Sequence, residues 1–461
     1  MKKLMSILTI FLAIHTVQAQ DFDKVKTNLL IGKIENAKTE YDKILVKKAN
    51  LAGTTEALFW ESIIHSVFFK DSVLSKKYPN SYTIIYNNLE KLINNENGNK
   101  FINEKAKEKE LNSSDPFIQV YSKSYMDGIK YFQENNFKEA ANAFNTSVRY
   151  SDIFYGRGWL DTKLKLDSNA VLFSGISFEK DNNYNEAIIK FQRLIDSKAM
   201  IDLNAVYNDL LICLIQTKDK LVFNKYLVSA KQDCPTNTAL WEQFSREFIS
   251  KIYTIDEKYN LYVKLASENS LTELDHQFFG ELFSEVKMDD PNFDKYNTMS
   301  NDAYKKVFEM NPQNMGAAFN IGIGFYNQYV ILDDKISTNI KALQNLNASK
   351  PLAPKDPRKK AAFDAAFKLQ LDSLKKLNLI IDAPIKEKVD GSIEWVTKAF
   401  NVIKDKEKLE REEKRVARQS VDILATLYDY KRNKARGKDQ KAFDEYDAKF
   451  NIYDKLHEKY Q

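Results

Sequence analysis

Glycine and proline are scarce in this chain, 13 and 9 in 461 residues. Sheet-rich folds need turn residues about every ten positions, so the shortage argues against them and leaves long helices. Histidine is almost missing: His15 sits in the N-terminal segment, and His65, His276 and His457 are scattered singly. There is no HExxH, no paired CxxC, no EF-hand loop, no GxxxxGK(S/T) and no GxSxG, which removes the usual sequence basis for a metal, a nucleotide or a serine nucleophile. No cofactor and no metal are expected, and His65 in SIIHSVFF reads as a core or interface histidine. After the first 20 residues no apolar run approaches the ~20 residues a bilayer span requires. Charge of one sign is missing as well. The formal charge is +5, and residues 351–461 carry 26 basic against 20 acidic side chains. Nucleic-acid binding wants Lys and Arg clustered on one face, so it is not expected.

What is present is a mixture of 43% hydrophobic and 29% charged residues with 24 Tyr and 29 Phe. Many amphipathic helices packed through large rings have that composition. Residues 1–20, MKKLMSILTIFLAIHTVQAQ, begin with two lysines, run apolar from Leu4 to Ile14 and reach Val17-Gln18-Ala19. This is the layout of a secretory signal peptide, with cleavage expected after Ala19 and a periplasmic or extracellular product. With no Cys near that junction, a lipoprotein is not expected.

Self-similarity is the main signal. Gly128, Tyr131, Ala140 and Phe144 stand at offsets of 3, 12 and 16 from the glycine, and Gly175, Phe178, Ala187 and Phe191 repeat those offsets. YFQENNFKEAANAF answers FEKDNNYNEAIIKF with the Asn-Asn pair in register. A greasier copy follows at Leu211, Leu214, Phe223, Leu227 and Pro235, with Trp241 beginning the next helix; a split copy uses Gly280, Phe283, Ser300, Tyr304, Val307 and Pro312; Ala318, Gly322 and Phe325 restart the pattern. This series resembles the tetratricopeptide repeat. The resemblance implies an all-α fold: a right-handed α-solenoid, or superhelix, of antiparallel helical hairpins, six or seven units in all. Small residues would let the two helices of a hairpin approach, and aromatics would wedge between hairpins. In that register Cys213 falls late in one helix and Cys234 beyond the next, too far apart for a disulfide, so two free thiols are expected.

The organisation read from this is a signal peptide at 1–19, degenerate helical repeats at 20–116, the clear array at 117–330, an inserted helical and loop segment at 331–390, and C-terminal hairpins with a cap at 391–461. Residues 92–116 read as a polar loop with one exposed helix at most. Residues 151–168 lengthen a connection, and hairpins resume at Gly391. Ser373 and Lys376 form an isolated SxxK without a KTG partner, and Gly322-Ile323-Gly324 reads as close helix packing rather than a phosphate cradle.

In the resembling family the first helices of the hairpins line a concave face. Carried onto this register, the inward positions are Tyr125, Ile129 and Phe132; Leu172 and Ile176; Asn208 and Ile212; and Phe319, Ile323 and Tyr326. The family's carboxylate clamp uses Lys, Asn and Arg at such places; Tyr125 and Ile129 stand where its first Lys and Asn would be, so that specificity is not implied here. The reading is a non-enzymatic scaffold in the cell envelope that takes an apolar segment of another protein or peptide, unless superhelical winding or an insertion fills the face. Two alternatives stand beside it. One is an envelope carbohydrate- or peptidoglycan-active enzyme with an inconspicuous carboxylate site, which an acidic pocket between repeats would favour. The other is a nutrient-binding component of an outer-membrane uptake system.

Overall fold

The computed structural model describes residues 22–105, 113–159, 164–199 and 201–460. The expected signal peptide lies outside the described residues. Among the described residues all regular structure is helical. The chain forms two compact units, one up to Ser245 and one from Arg246. The division falls inside the array expected over 117–330 and within one helix, α13 below.

The first unit holds α1 (Asp23–Leu30), α2 (Ile34–Lys47), α3 (Thr55–Lys70), α4 (Leu74–Lys77), α5 (Ser81–Ile93), α6 (Glu96–Lys105), α7 (Asp115–Gln133), α8 (Phe137–Gly156), α9 (Ser168–Lys180), α10 (Tyr184–Asp196), α11 (Leu203–Thr217) and α12 (Lys220–Asp233), with α13 (Thr238–Ile252) carrying the boundary. Its most regular stretch, α7 to α10, is built by the residues that repeat. The first Asn of each Asn-Asn pair takes the left-handed conformation, Asn135 at φ 57° and Asn182 at φ 61°. Asn tolerates that region better than most side chains. The next amide then closes the helix end, with Asn136 N–H bonding Tyr131 O at 2.9 Å and Asn183 N–H bonding Phe178 O at 2.8 Å, which satisfies carbonyls that would otherwise be orphaned. The chain reverses, and the second helix returns along the first.

Close approach within each hairpin depends on the glycine. A Cβ on Gly128 would lie 2.7 Å from the Phe144 ring, and one on Gly175 would lie 2.7 Å from the Phe191 ring. The 16-residue offset read in the sequence is therefore a ring packed against bare backbone. Ala140, Phe144, Ala187 and Phe191 are fully buried. The greasier copy follows suit, with Leu211, Leu214, Phe223 and Leu227 buried and the Trp241 indole N–H bonded to Cys234 O at 2.9 Å. Cys213 and Cys234 are both free and buried.

The N-terminal helices share a core around Trp60, Phe59, Ile63, Ile64, Phe68, Ile85 and Leu89. The one helix allowed for in the polar segment 92–116 is present, but it is packed against this core and not exposed as expected. Residues 96–105 form α6, with Ile102 1% exposed and the Phe101 ring 5.4 Å from Phe59. The polar composition of NNENGNKFINEK hides a helix anchored by two adjacent apolar side chains. Residues 106–112 lie outside the described set, as do 160–163 in the lengthened connection.

The second unit contains α14 (Ile255–Ser267), α15 (Glu273–Ser284), α16 (Phe293–Met310), α17 (Met315–Ala348), α18 (Pro357–Ile403), α19 (Arg411–Ala435) and α20 (Gln440–Lys459). Thr254 with Glu257 and Thr272 with Asp275 form capping boxes that start α14 and α15, each satisfying two N-terminal amides. In the split copy a Cβ on Gly280 would meet the Tyr304 ring at 3.0 Å, and the Ser300 hydroxyl donates to Gly280 O at 2.8 Å. The same device recurs where the Ser392 hydroxyl donates to Gly322 O at 2.9 Å. A glycine admits the neighbouring helix, and that helix's serine binds the exposed carbonyl.

The restart expected at Gly391 is not an element boundary. Gly391 lies inside the 47-residue α18, where a Cβ would meet the Phe325 ring of α17 at 3.0 Å. The expected insertion over 331–390 is a helical hairpin. On α17, Phe325, Tyr329, Leu332, Ile336, Asn339, Leu343 and Leu346 follow a 4-3-4-3 spacing, and on α18 Phe363, Phe367, Leu371, Leu374, Asn378, Ile381 and Ile385 do nearly the same. That is the seam of an antiparallel coiled coil. Asn339 Nδ2 donates to Asn378 Oδ1 at 2.8 Å across it. From Ser337 to Lys350 and from Pro357 to Ile380 no side chain is buried, so the outer part of the hairpin is an arm with a thin seam. Its base joins a core of Tyr329, Ile385, Val389, Val396, Phe400 and Leu424.

Candidate functional site

On the first unit, the residues placed on the inward side of first helices are all half-buried: Tyr125, Ile129 and Phe132 on α7, Leu172 and Ile176 on α9, Asn208 and Ile212 on α11. Two of them also take part in packing between hairpins. The Tyr125 ring lies 5.5 Å from Phe144 and 6.4 Å from Phe173, and the Phe132 ring lies 5.4 Å from Phe137 and 6.4 Å from Phe173. Phe173 of α9 is thus the side chain that locks the two hairpins together, stacked at 5.5 Å on Phe144. Sequence reasoning passed over it because the first copy has Met126 at the matching position, and Met126 is exposed.

The repeat-packing residues fall where the register puts them. Gly128, Ala140, Phe144, Gly175, Phe178, Ala187, Phe191 and Gly322 are buried, and Tyr131 is half-buried. On the second unit the inward row differs. Phe319 is 3% exposed and belongs to the core formed with α18 and α19, with the Arg415 guanidinium 5.8 Å above its ring. Ile323 and Tyr326 pack half-buried against the same core. The face expected there as a groove is filled by the chain's own C-terminal helices.

An acidic feature on the first unit was not foreseen. Glu179 on α9 is pushed up to about 7, first by burial and then by the neighbouring charge of Asp209 on α11. Burial also raises Asp209, whose side chain accepts a hydrogen bond from Asn208 Nδ2 at 3.0 Å. The Cys213 thiol is pushed up by its burial, then by Glu179 and Asp209. Burial weighs most on both carboxyls, and the chain's own Lys180 ammonium partly offsets it at each. The available sequence signal is that Glu179 follows Gly175 by four residues, one helical turn further along the same face.

The other chemistry considered finds ordinary uses. His65 is 3% exposed with Nδ1 3.0 Å from Ser81 Oγ, and burial pushes it down to about 4. Since the Ser81 hydroxyl donates to Tyr78 O at 2.8 Å, His65 Nδ1 carries the proton. His276 is buried with Nδ1 3.0 Å from the Tyr262 hydroxyl, and His457 pairs with Asp422. The Ser373 hydroxyl donates to Leu369 O at 2.8 Å, and a Cβ on Gly322 would run into Val396, close packing between two helices. Among the described residues no group of three or more His, Cys, Asp or Glu side chains is placed to hold a metal ion, and no helix is long and apolar enough to cross a membrane.

No family model matches the chain, and no curated protein matches it. Solved structures it resembles include a TPR repeats protein from Bacteroides fragilis NCTC 9343, at 13% identity over 66% of this chain and 99% of that one with a TM-score of 0.29. A second is the TPR domain of P58(IPK), at 12% identity over 92% and 96% with a TM-score of 0.25. A third is the Cut9-Hcn1 hetero-tetramer of the APC/C, at 12% identity over 98% and 99% with a TM-score of 0.17. Two of the three are tetratricopeptide-repeat proteins by name. The helical-hairpin fold stated above stands on the chain's own glycine-to-ring contacts.

Proposed function

We propose that this protein is an exported scaffold that holds a segment of another protein, apolar and carrying a Lys or Arg, along the first-helix face of its first unit. The observation that carries the reading is the half-buried row of Ile129, Leu172, Ile176 and Ile212 leading to the Glu179 and Asp209 carboxyls. Half-buried aliphatic side chains gain from further loss of water, and a cationic group on the partner would add to the Lys180 charge that already acts on both half-buried acids. Export is supported by the layout of residues 1–20.

A photo-crosslinking residue at Ile176, with one at the exposed Ile189 of α10 as control, tests the holding role in intact cells. The expected result is an adduct from position 176 alone, whose partner peptide is apolar and bears a Lys or Arg. Equal adducts from both positions would overturn it. Export is tested by fractionation: the reading expects a chain shortened by its leader outside the cytoplasm, and a full-length cytoplasmic chain contradicts it.

Glu179 favours a second reading, an envelope enzyme acting on carbohydrate or peptidoglycan, because a carboxyl that keeps its proton near neutral pH can serve as a general acid. Under that reading Glu179→Gln abolishes release of soluble fragments from purified cell wall. No release by the unaltered protein removes it.

A further inference from the structure

The arm of the second unit ends in a concentration of charge that its coiled coil does not use. Between Ser349 and Phe363 the chain carries five cations, Lys350, Lys355, Arg358, Lys359 and Lys360, and one acid, Asp356. That acid is occupied: its carboxylate accepts from the backbone amides of Arg358 at 2.9 Å and Lys359 at 3.2 Å, capping α18. Lys350 is tied down against Asp364 at 3.6 Å and over the Phe367 ring at 4.6 Å. The other four cations are exposed.

Their arrangement is specific. Arg358, Lys359 and Lys360 are consecutive on a helix, so they step about 100° apart and fan over about 200° of its end instead of lining one side. Beside them the loop Pro351-Leu352-Ala353-Pro354 presents Leu352, which is 99% exposed. Pro351 and Pro354 bias the residues before them, Lys350 and Ala353, toward extended backbone. A rod whose end fans out cations and carries one bare aliphatic side chain is shaped for end-on contact with a flat anionic surface that has an apolar interior.

We propose that the tip of this arm docks on the surface of an anionic phospholipid bilayer. Lys355, Arg358, Lys359 and Lys360 meet the headgroup phosphates, and Leu352 enters the boundary with the acyl chains. A nucleic acid or an acidic protein would satisfy the cations. A bilayer alone offers a continuous anionic plane to the fanned cations with an apolar layer directly beneath it for Leu352. The proposal shares no residue with the peptide-holding face of the first unit and stands or falls separately from it.

The test is flotation of the purified full chain with vesicles of phosphatidylcholine alone, or with about 30% phosphatidylglycerol, in about 0.1 M and about 0.5 M salt. The unaltered chain is expected to float with the anionic vesicles at low salt, to be released at high salt and to ignore the neutral ones. A triple variant, Arg358→Gln, Lys359→Gln and Lys360→Gln, is expected to lose at least about tenfold in partitioning. Leu352→Ser is expected to lose about threefold and keep the salt dependence. None of these side chains is buried, so circular dichroism and melting should match the unaltered chain and exclude misfolding as the cause. The proposal is overturned if the unaltered chain stays unbound, if the triple variant floats equally well, or if the chain binds duplex DNA or an acidic polypeptide while leaving the anionic vesicles alone.

Discussion

Two helical hairpin systems in this protein solve the same packing problem in different ways. In α7 to α10, a bare glycine receives a full aromatic ring, and Phe144 and Phe191 are completely buried. In the arm of α17 and α18 a heptad-spaced seam of aliphatic and aromatic residues with one Asn pair joins the two helices, and outside its base no side chain is buried. The first arrangement concentrates stability in a few wedges that cannot be exchanged. The second spreads a small amount over many interchangeable contacts, so the arm is expected to be locally stable at best while the hairpins of the first unit are cooperative.

The sharpest way to break the contrast is to remove a wedge. Phe191→Ala should destabilise the first unit by about 3–5 kcal/mol, because it leaves a ring-sized void over Gly175. Urea unfolding followed by Trp fluorescence reads it, and a loss below about 1 kcal/mol would mean that the glycine contact is incidental.

Acid should weaken the first unit through His65. His65 is held neutral in the folded first unit, with its folded value near 4 against an ordinary 6.5. Between those values the unfolded chain binds the extra proton, so stability falls as pH drops from about 6.5 to about 4, by on the order of 2–3 kcal/mol in total. His65→Gln should flatten that slope in pH-dependent melting, and an unchanged slope would contradict the assignment. Glu179 works in the opposite sense. Its folded value near 7 lies above the ordinary carboxylate value of 4.5, so its burden grows as pH rises from 4.5 through 7, and Glu179→Gln should raise the melting temperature at neutral pH.

Tyr125→Ala and Phe132→Ala test whether the inward row is wedge or docking surface. With both rings against Phe173, each substitution should cost about 1–2 kcal/mol, seen as a fall of several degrees in melting. No fall, together with loss of the Ile176 adduct, would make them contact residues and nothing more. The smallest effect belongs to the arm. Leu369→Ser, at a side chain 69% exposed, should stay within about 0.5 kcal/mol, and a larger loss would show that something covers that face.

The legible part of the fold was the part where one residue does one geometric job. Gly128 with Phe144, Gly175 with Phe191 and the Asn-Asn turns recur because a bare glycine admits the ring and Asn tolerates the left-handed turn; the next hairpin, with Leu211, Leu227 and a left-handed Lys218, is correspondingly harder to read. The arm was harder to read because Pro351, Pro354 and Pro357 suggest an interruption, and Pro384 sits inside α18, where a helix is not expected to tolerate it. The seam repeat crosses that proline, and only its 4-3 spacing announces the coiled coil. The Glu179 and Asp209 pair was invisible for another reason: the two residues are 30 positions apart, and only the stacking of α9 on α11 brings their charges together. The filled face at Phe319 was hidden likewise, since α18 and α19 come later in the chain than the residues they cover.

The Asn339–Asn378 bond lies in a seam that returns to the same orientation every seven residues. Matched heptads could therefore be cut from both strands, or added to both, moving the tip by about 10 Å per step along the helix axis without turning it. The arm is in that sense a ruler with fixed graduations, and its reach is a property that selection can change by duplication or deletion while every glycine wedge in the protein stays as it is.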